Sequence, residues 1–520
     1  MAGGPLPPDA PSGPVVLGGP LAIADLVAVA RRGVPVALGA DVAERLGRGR
    51  AVLEELDRSG QAVYGVTTGV GKLKDTPIPP AARRDLQRNL VLSHAAGVGP
   101  PLEPAVVRAM LLLLAGSLSR GHSGVRPVVV QQVVGCLNRG LVPVVPARGS
   151  VGASGDLAPL AHVAACLIGE GEAVLDGARL PAREALGRAG LAPLTLEMKE
   201  GLALLNGTHL MAAVGALVVH DATALARLAD VAGAMSLEAL MGTNAAFDPR
   251  IHALRPHAGQ VESAANLRAL TADSGVIASH RDCTRVQDAY SLRCMPQVHG
   301  AARDGLRFAR DVLERELASV TDNPLLFPAD GAVLSGGNFH GQPLALALDT
   351  ATIGLAQLAG IAERRIDRLV NPLTNEGLPP FLAAGGGLHS GYMLAQYTAA
   401  ALVAECRARS HPASVDSIPT SGLQEDWNSM GATAALKAEE VLRHAEQVVA
   451  IELVVAAQAL DHRRPLVPGR GTRAAHAAVR ARVPPLESDR PVHGDLAAAL
   501  GLVREGAVEE AVRAAIGPLR

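Results

Sequence analysis

The sequence predicts a mainly α-helical fold, and three observations carry that expectation. Long stretches rich in Ala, Leu, Val, Glu and Arg repeat apolar residues at the three- and four-residue spacing of an α-helix. Strand-like alternation is scarce. The chemically unusual residues fall almost entirely in Gly/Pro-rich connectors between the helical stretches. In chain order the helices are expected at Pro104 to Leu118, Gly201 to Ala246, Pro296 to Val320, Leu344 to Val370 and Met430 to Ala459, each a run of helical periodicity. The connectors run from Tyr64 to Lys72, Pro143 to Asp156, Ser335 to Pro343, Leu378 to Gly391 and His411 to Asp426. Functional groups on loops held by a rigid helical body is an ordinary enzyme arrangement.

Length and composition bound the function without selecting it. A chain of 520 residues suggests about three domains, although long helices spanning one large body fit the same length. Its residues are 48% hydrophobic but only 2% aromatic, so Ala, Val and Leu must fill the core. Lys and Arg number 48 against 50 Asp and Glu, leaving no global field for nucleic acid or an anionic membrane. Cys136, Cys166, Cys283, Cys294 and Cys406 are odd in number and never paired as CxxC, which argues against a disulfide scaffold or a zinc ribbon. Residues 1–14, Pro/Gly-rich and lacking a basic and an apolar region, are expected as a disordered tail rather than a signal peptide. The most apolar helix-like run, Val448 to Leu460, contains Glu452 and is too short to span a bilayer. The expectation is a reduced, cytoplasmic protein without nucleic-acid or membrane partners.

The most informative stretch is GSVGASGDLAPL, Gly149 to Leu160. If a tight bend presses the Gly155 amide nitrogen against the Ala153 carbonyl, attack and loss of water close a five-membered ring. Dehydration of Ser154 then leaves an exocyclic methylidene. Gly155 lacks a Cβ and can enter the strained approach, Ser154 carries the hydroxyl that leaves, and Ala153 is too small to obstruct. Taken alone, the same residues also read as a Gly/Ser loop before a helix with Asp156 as its N-cap. The context GSVGASGDLAPLAHVA resembles the prosthetic-group loop of the aromatic amino-acid ammonia-lyase family, whose members build a methylidene-imidazolone there.

Further motifs extend the resemblance. YGVTTGVGKL sets Tyr64 before three glycines, and a loop tyrosine can serve as a base where a positive field lowers its pKa. It matches no phosphate-binding fingerprint but resembles the family's YGxxTGxG motif, whose tyrosine abstracts a β-proton. Val70 and Thr67 stand where many relatives carry Phe and Asn. His94 ends an amphipathic segment; as a lone histidine it also reads as a structural residue, while Ser93-His94 resembles the selectivity pair of the histidine-specific members and of some tyrosine aminomutases. In Ser279 to Ala301, Gln287, Tyr290 and Arg293 are spaced to share one helical face, and Arg293 offers a planar fork for a carboxylate. The resemblance implies that this segment reaches the active site of a neighbouring subunit. LLNGTHLM puts Asn206 where the family uses an amide near the prosthetic group and the substrate carboxylate, and GGNFHGQP puts Phe339 where it stacks an aromatic. Gln424-Glu425-Asp426 matches the histidine-specific pattern. A pocket carboxylate on Glu425 would pair with an imidazole and reject a plain phenyl ring. Trp427 and Gln342 depart from residues common in the family.

The resemblance spans about Val16 to Leu502. It implies a long central helical bundle of fumarase/aspartase-like architecture, with an N-terminal domain (15–205) carrying the prosthetic-group loop and a bundle with C-terminal helices (206–520). It also implies a homotetramer with shared active sites. The implied activity is elimination of ammonia from L-histidine to give trans-urocanate, through a 4-methylideneimidazol-5-one made from Ala153-Ser154-Gly155 with no metal or external cofactor. The implied catalytic residues are Tyr64, Ala153, Ser154, Gly155 and Tyr290. Those implied to bind substrate are His94, Asn206, Gln287, Arg293, Phe339 and Glu425. Either the substrate amine or its ring attacks the electrophile. A tyrosine or phenylalanine ammonia-lyase or an aromatic 2,3-aminomutase is the nearest alternative, and a catalytically silent helical scaffold a more distant one.

Overall fold

The predicted periodicities are realised as helices. The computed structural model describes residues 13–153 and 155–520, which hold twenty α-helices and nine short strands. The stretch expected at Pro104 to Leu118 has those bounds, with Pro104 in the first turn, where its missing N–H costs nothing. The later runs appear as Met295–Leu317, Gln342–Val370 and Gly431–Asp461. The run expected from Gly201 to Ala246 is broken into Glu200–Leu205 and His209–Ala239. The break falls where Asn206 is extended and Gly207 takes φ +132°, a conformation that favours glycine. The strands form four small sheets, one of them three-stranded. Val98–Pro101 pairs antiparallel with Pro146–Arg148, and Val142–Pro143 with Glu172–Leu175, so the connector leading to Asp156 leaves from paired backbone.

Two helices, His209–Ala239 and Gln342–Val370, are long and apolar enough by length and composition to cross a membrane, unlike the 448–460 run singled out by the sequence. Their apolar windows are 78% and 61% buried within the protein, as in core helices. The expected tail falls almost wholly outside the described residues; Val15–Leu17 forms the first strand.

The chain divides into two compact units, the first comprising 1–217, 310–348 and 412–436 and the second 218–309, 349–411 and 437–520. In the first, the helices Arg83–His94, Leu157–Leu167 and Glu200–Leu205 pack against one another. A Cβ on Gly201 would lie 2.4 Å from the Gln87 carbonyl oxygen, so only glycine allows this approach. The fully buried Gln87 side chain accepts from Leu202 N (3.0 Å) and donates to Gly65 O (3.2 Å). One amide thus fixes the Tyr64 loop to two helices.

In the second unit, turns from four long helices are joined by buried charge. Asp230 accepts from His299 (2.8 Å) and Arg303 (2.6 Å), while Glu452 accepts from Arg365 (2.5 Å) and Ser236 (2.7 Å). Burial pushes the Asp230 carboxyl up, but Arg303 and His299 outweigh it and hold it down at about 2. Removing one partner of such a pair leaves an uncompensated buried charge.

Candidate active site

The 149–156 loop is held on both sides through its backbone carbonyls and amides. Gly152 O accepts from Ser429 Oγ (3.0 Å) and Gly341 N (3.3 Å), and Val151 O from Met430 N (2.9 Å). Gly155 adopts φ +71° and pairs with Gly207, whose carbonyl oxygen would lie 2.0 Å from a Cβ on Gly155. Asp156 N donates to that same carbonyl at 2.7 Å. Ala153 is buried at one side of the tripeptide; Ser154 lies outside the described residues.

Asp156 occupies the N-cap position of Leu157–Leu167, as expected, but its side chain does not cap that helix. Its Oδ2 accepts from Leu210 N (2.8 Å) and Met211 N (3.0 Å), and Oδ1 from Ser150 Oγ (2.8 Å). It therefore caps the first turn of His209–Ala239 and pins that turn to the loop. Complete burial raises its pKa to about 6, against the hydrogen bonds from Met211, Ser150 and Leu210, which lower it.

A cavity of about 330 Å³ in the first unit is lined by Tyr64, His94, Asn206 and Glu425, together with Val70, Leu157 and others. The Tyr64 hydroxyl oxygen accepts from Gly71 N at 2.9 Å. A positive field that lowers the pKa is the condition under which a loop tyrosine such as Tyr64 serves readily as a base. Burial instead raises the Tyr64 pKa, the Gly71 N–H lowers it, and the Glu425 charge raises it further. His94 ends the Arg83–His94 helix with Nδ1 3.1 Å from Ser93 Oγ. Glu425, half-buried, accepts from Thr420 Oγ1 at 2.7 Å, and the two backbones pair across the turn. Of the residues noted as departures, Val70 lines the cavity, Thr67 Oγ1 accepts from Val63 N (2.8 Å), Trp427 is 63% exposed and Gln342 opens a helix.

Asn206 is buried, and its amide donates to Asp322 Oδ1 (3.1 Å) and Asn323 O (2.9 Å). Asp322 Oδ2 takes a 2.7 Å hydrogen bond from Lys199, and both side chains of that ion pair are buried. Lys199 holds φ +72°, a left-handed conformation that costs a non-glycine residue about 1–3 kcal/mol. The sequence reading missed this pair; its only sequence signal is a lysine seven residues before Asn206. His209, also buried, has no hydrogen-bond partner for either ring nitrogen among the described residues, and burial lowers its pKa to about 4.

Phe339 is half-buried in a loop whose Gly341 bonds Gly152, while Gln287, Tyr290 and Arg293 belong to the second unit. The expected shared helical face is corrected there. Only Tyr290–Arg293 is helical, and Gln287 is exposed in a preceding segment without regular secondary structure. Asp288 explains this, because its carboxylate accepts from Thr243 N (2.8 Å) and Arg285 (3.0 Å), tying the segment away from a helical path. Tyr290 is 73% exposed, with the Arg293 guanidinium 4.7 Å from its ring centre, and the buried Arg293 Nε has no hydrogen-bond partner among the described residues.

A family model described as aromatic amino acid lyase matches residues 21–481. The chain belongs to the aromatic amino acid lyase family. A histidine ammonia-lyase from Gloeobacter violaceus is 58% identical over 499 residues, covering 96% of this chain and 97% of the relative. Among solved structures, histidine ammonia-lyase from Trypanosoma cruzi matches with TM-score 0.89 at 43% identity, covering 96% of this chain and 95% of that one. Tyrosine aminomutase from Streptomyces globisporus matches with TM-score 0.92 at 39% identity over 98% and 100%. The fold of the aromatic amino acid lyase family is thus common to lyases and aminomutases, and within it the choice of reaction rests on side chains.

Proposed function

We propose that the chain eliminates ammonia from L-histidine to give trans-urocanate, acting as a carbon–nitrogen lyase in the cytoplasm. The observation that carries the reading is one cavity lined by His94, Glu425 and Tyr64, two polar groups suited to an imidazole beside one suited to a proton transfer. Relatives at 54–58% identity that carry the name histidine ammonia-lyase support it.

The β-proton of an amino acid is very weakly acidic and ammonia leaves poorly, so the reaction needs an electrophile. A methylidene-imidazolone made from Ala153, Ser154 and Gly155 supplies one, which no ordinary side chain does. The surroundings fit such a group: Gly155 has a backbone conformation and a contact with Gly207 that exclude a Cβ, and the loop on both sides is pinned.

The chain's own residues do the rest. Glu425 accepts a hydrogen bond from an imidazole N–H, His94 faces the ring's other edge, and Phe339 stacks near the loop. Arg293, whose buried Nε has no hydrogen-bond partner among the described residues, binds the substrate carboxylate with Tyr290 and Gln287, contributed by a neighbouring subunit of a homotetramer. Tyr64 removes the β-proton. The Glu425 charge raises the Tyr64 pKa, so a substrate imidazole that draws on that charge lowers it and leaves a larger fraction of the phenol ionised to act as the base in the complex.

Incubation with L-histidine, L-tyrosine or L-phenylalanine separately, following near-ultraviolet absorbance and free ammonia, tests the reading. Histidine should release ammonia with urocanate absorbance, and the others far less. Preferred turnover of tyrosine, or isomerisation without ammonia, would contradict it.

A further inference from the structure

We propose that Arg365 is a positioning residue for Arg293: oriented by Glu452, its guanidinium holds the backbone of the short Tyr290–Arg293 helix and so sets where Arg293 points. The inference rests on the proposed binding of the substrate carboxylate by Arg293 and deepens it.

A four-residue helix is a single turn, too short to hold its shape without outside contacts. Tyr290 gives it little help, because that side chain is mostly exposed, and Leu292 is the residue that buries. Arg293 does not fix its own direction either. Its Nε has no hydrogen-bond partner among the described residues, and its guanidinium rests on the ring of Tyr290 in the same turn. The direction of Arg293 is therefore inherited from the backbone that carries it. That backbone has one charged support: Arg365 Nη1 donates to Ser291 O at 3.4 Å, two residues before Arg293. A cation on the carbonyl end of a helical turn is favourable.

The guanidinium is set from the other side. Arg365 Nε and Nη2 meet both carboxylate oxygens of Glu452, at 2.5 Å and 2.8 Å, and both side chains are 0% exposed. Two parallel bonds fix the plane of the fork, and with it the direction of Nη1. Of the two Nη1 hydrogens, one serves Ser291 O and the other His299 Nε2 at 3.3 Å. His299 Nδ1 is committed to Asp230 at 2.8 Å, which leaves Nε2 as the acceptor. A Cβ on Gly233 would lie 2.4 Å from Met295 Sδ and 3.4 Å from Arg365 Cζ, so glycine admits the guanidinium and the chain that follows the turn to one place. Cohesion alone does not call for this arrangement, since well-packed apolar residues replace a buried ion pair at no loss of stability. A lysine would keep the pair with Glu452 but has no second arm to aim at Ser291.

Two probes isolate the carboxylate. Imidazolepropionate carries imidazole and carboxylate; histamine carries imidazole and amine without a carboxylate. Their affinities for the full-length protein are measured by calorimetry in wild type, Arg293→Met, Arg365→Lys and the double variant Arg365→Lys/Arg293→Met, alongside histidine kinetics. Arg365→Lys should weaken imidazolepropionate roughly ten- to a hundredfold, the loss of a hydrogen bond to a charged group, while histamine affinity holds. It should raise KM for histidine by more than it lowers kcat. Added to Arg293→Met it should cost imidazolepropionate nothing further, because it acts through Arg293. Arg365→Met/Glu452→Leu, which removes both buried charges together and keeps the protein folded if the lysine variant does not fold, should show the same selective loss at unreduced stability. Folded Arg365 variants that bind both probes as wild type does, that weaken both equally, or whose loss adds in full to that of Arg293→Met overturn the inference and leave the substrate reading intact. If Arg293→Met itself leaves imidazolepropionate affinity unchanged, the carboxylate assignment of the proposed function falls, and the inference with it.

Discussion

Gly155 and Gly207 meet backbone to backbone: a Cβ on Gly155 would fall 2.0 Å from the Gly207 carbonyl oxygen. On its other side Gly207 meets the His209 ring, which would lie 2.1 Å from a Cβ at position 207. With φ +132° as well, Gly207 has no room and no permitted conformation for a side chain. Gly207→Ala should therefore lower unfolding free energy by at least about 2 kcal/mol and abolish activity, since the 155–207 pairing aligns the loop. Denaturant melts and turnover measured on the same sample check this. An active Gly207→Ala protein of wild-type stability would remove the pairing from the account.

Tyr64 is the proposed base although its pKa in the free chain is raised. Tyr64→Phe keeps the ring and removes the ionisable hydroxyl, so kcat should fall by about 10²–10⁴ with a smaller change in KM. Retained turnover would reassign the base.

Glu425 acts twice. It is the proposed imidazole partner, and its charge raises the Tyr64 pKa. Glu425→Gln should cost at least about 2 kcal/mol of activity on histidine while sparing any weak activity on tyrosine or phenylalanine. Removing the negative charge lowers the pKa of the base, so it should also move the acidic limb of the kcat/KM profile to lower pH. An unchanged limb would separate the two residues electrostatically.

Asp156 and His209 make opposite contributions to stability. The folded pKa of Asp156 is raised from 3.8 to about 6, so the folded state holds the proton more tightly and stability falls as pH rises through that window. The folded pKa of His209 is lowered from 6.5 to about 4, so stability is fully present above 6.5 and is lost as pH falls towards 4. Each amounts to about 3 kcal/mol at about 1.4 kcal/mol per tenfold change in proton affinity, and over the shared window they largely cancel. His209→Met should expose the Asp156 slope, making the protein more stable at pH 4 than at pH 6 relative to wild type. Asp156→Asn should give the opposite tilt. Parallel pH profiles of unfolding free energy for all three proteins would contradict this.

The helices were legible in the sequence because their apolar spacing is local, and Tyr64, His94, Asn206 and Glu425 because each sits in a short motif. What escaped depends on distance along the chain. Lys199 bonds a carboxylate 123 residues away, and Asp156 caps a helix that starts 53 positions later rather than the one it begins. No window of sequence contains either partner pair. The Gln287, Tyr290 and Arg293 spacing misled for a related reason, since the 3.6-residue pattern is real but Asp288 is committed to Thr243 and Arg285. The sign of the Tyr64 shift was likewise hidden, because burial and the nearness of Glu425 are properties of the fold.

The most direct test of the account is the mass of the peptide spanning Gly149 to Leu160, taken from enzyme that is actively turning over histidine. The account predicts a peptide lighter by two waters in wild type, and an unmodified mass with no turnover but a retained helical fold in Ser154→Ala. A full, unmodified wild-type mass in active enzyme would contradict the self-made electrophile and the mechanism built on it.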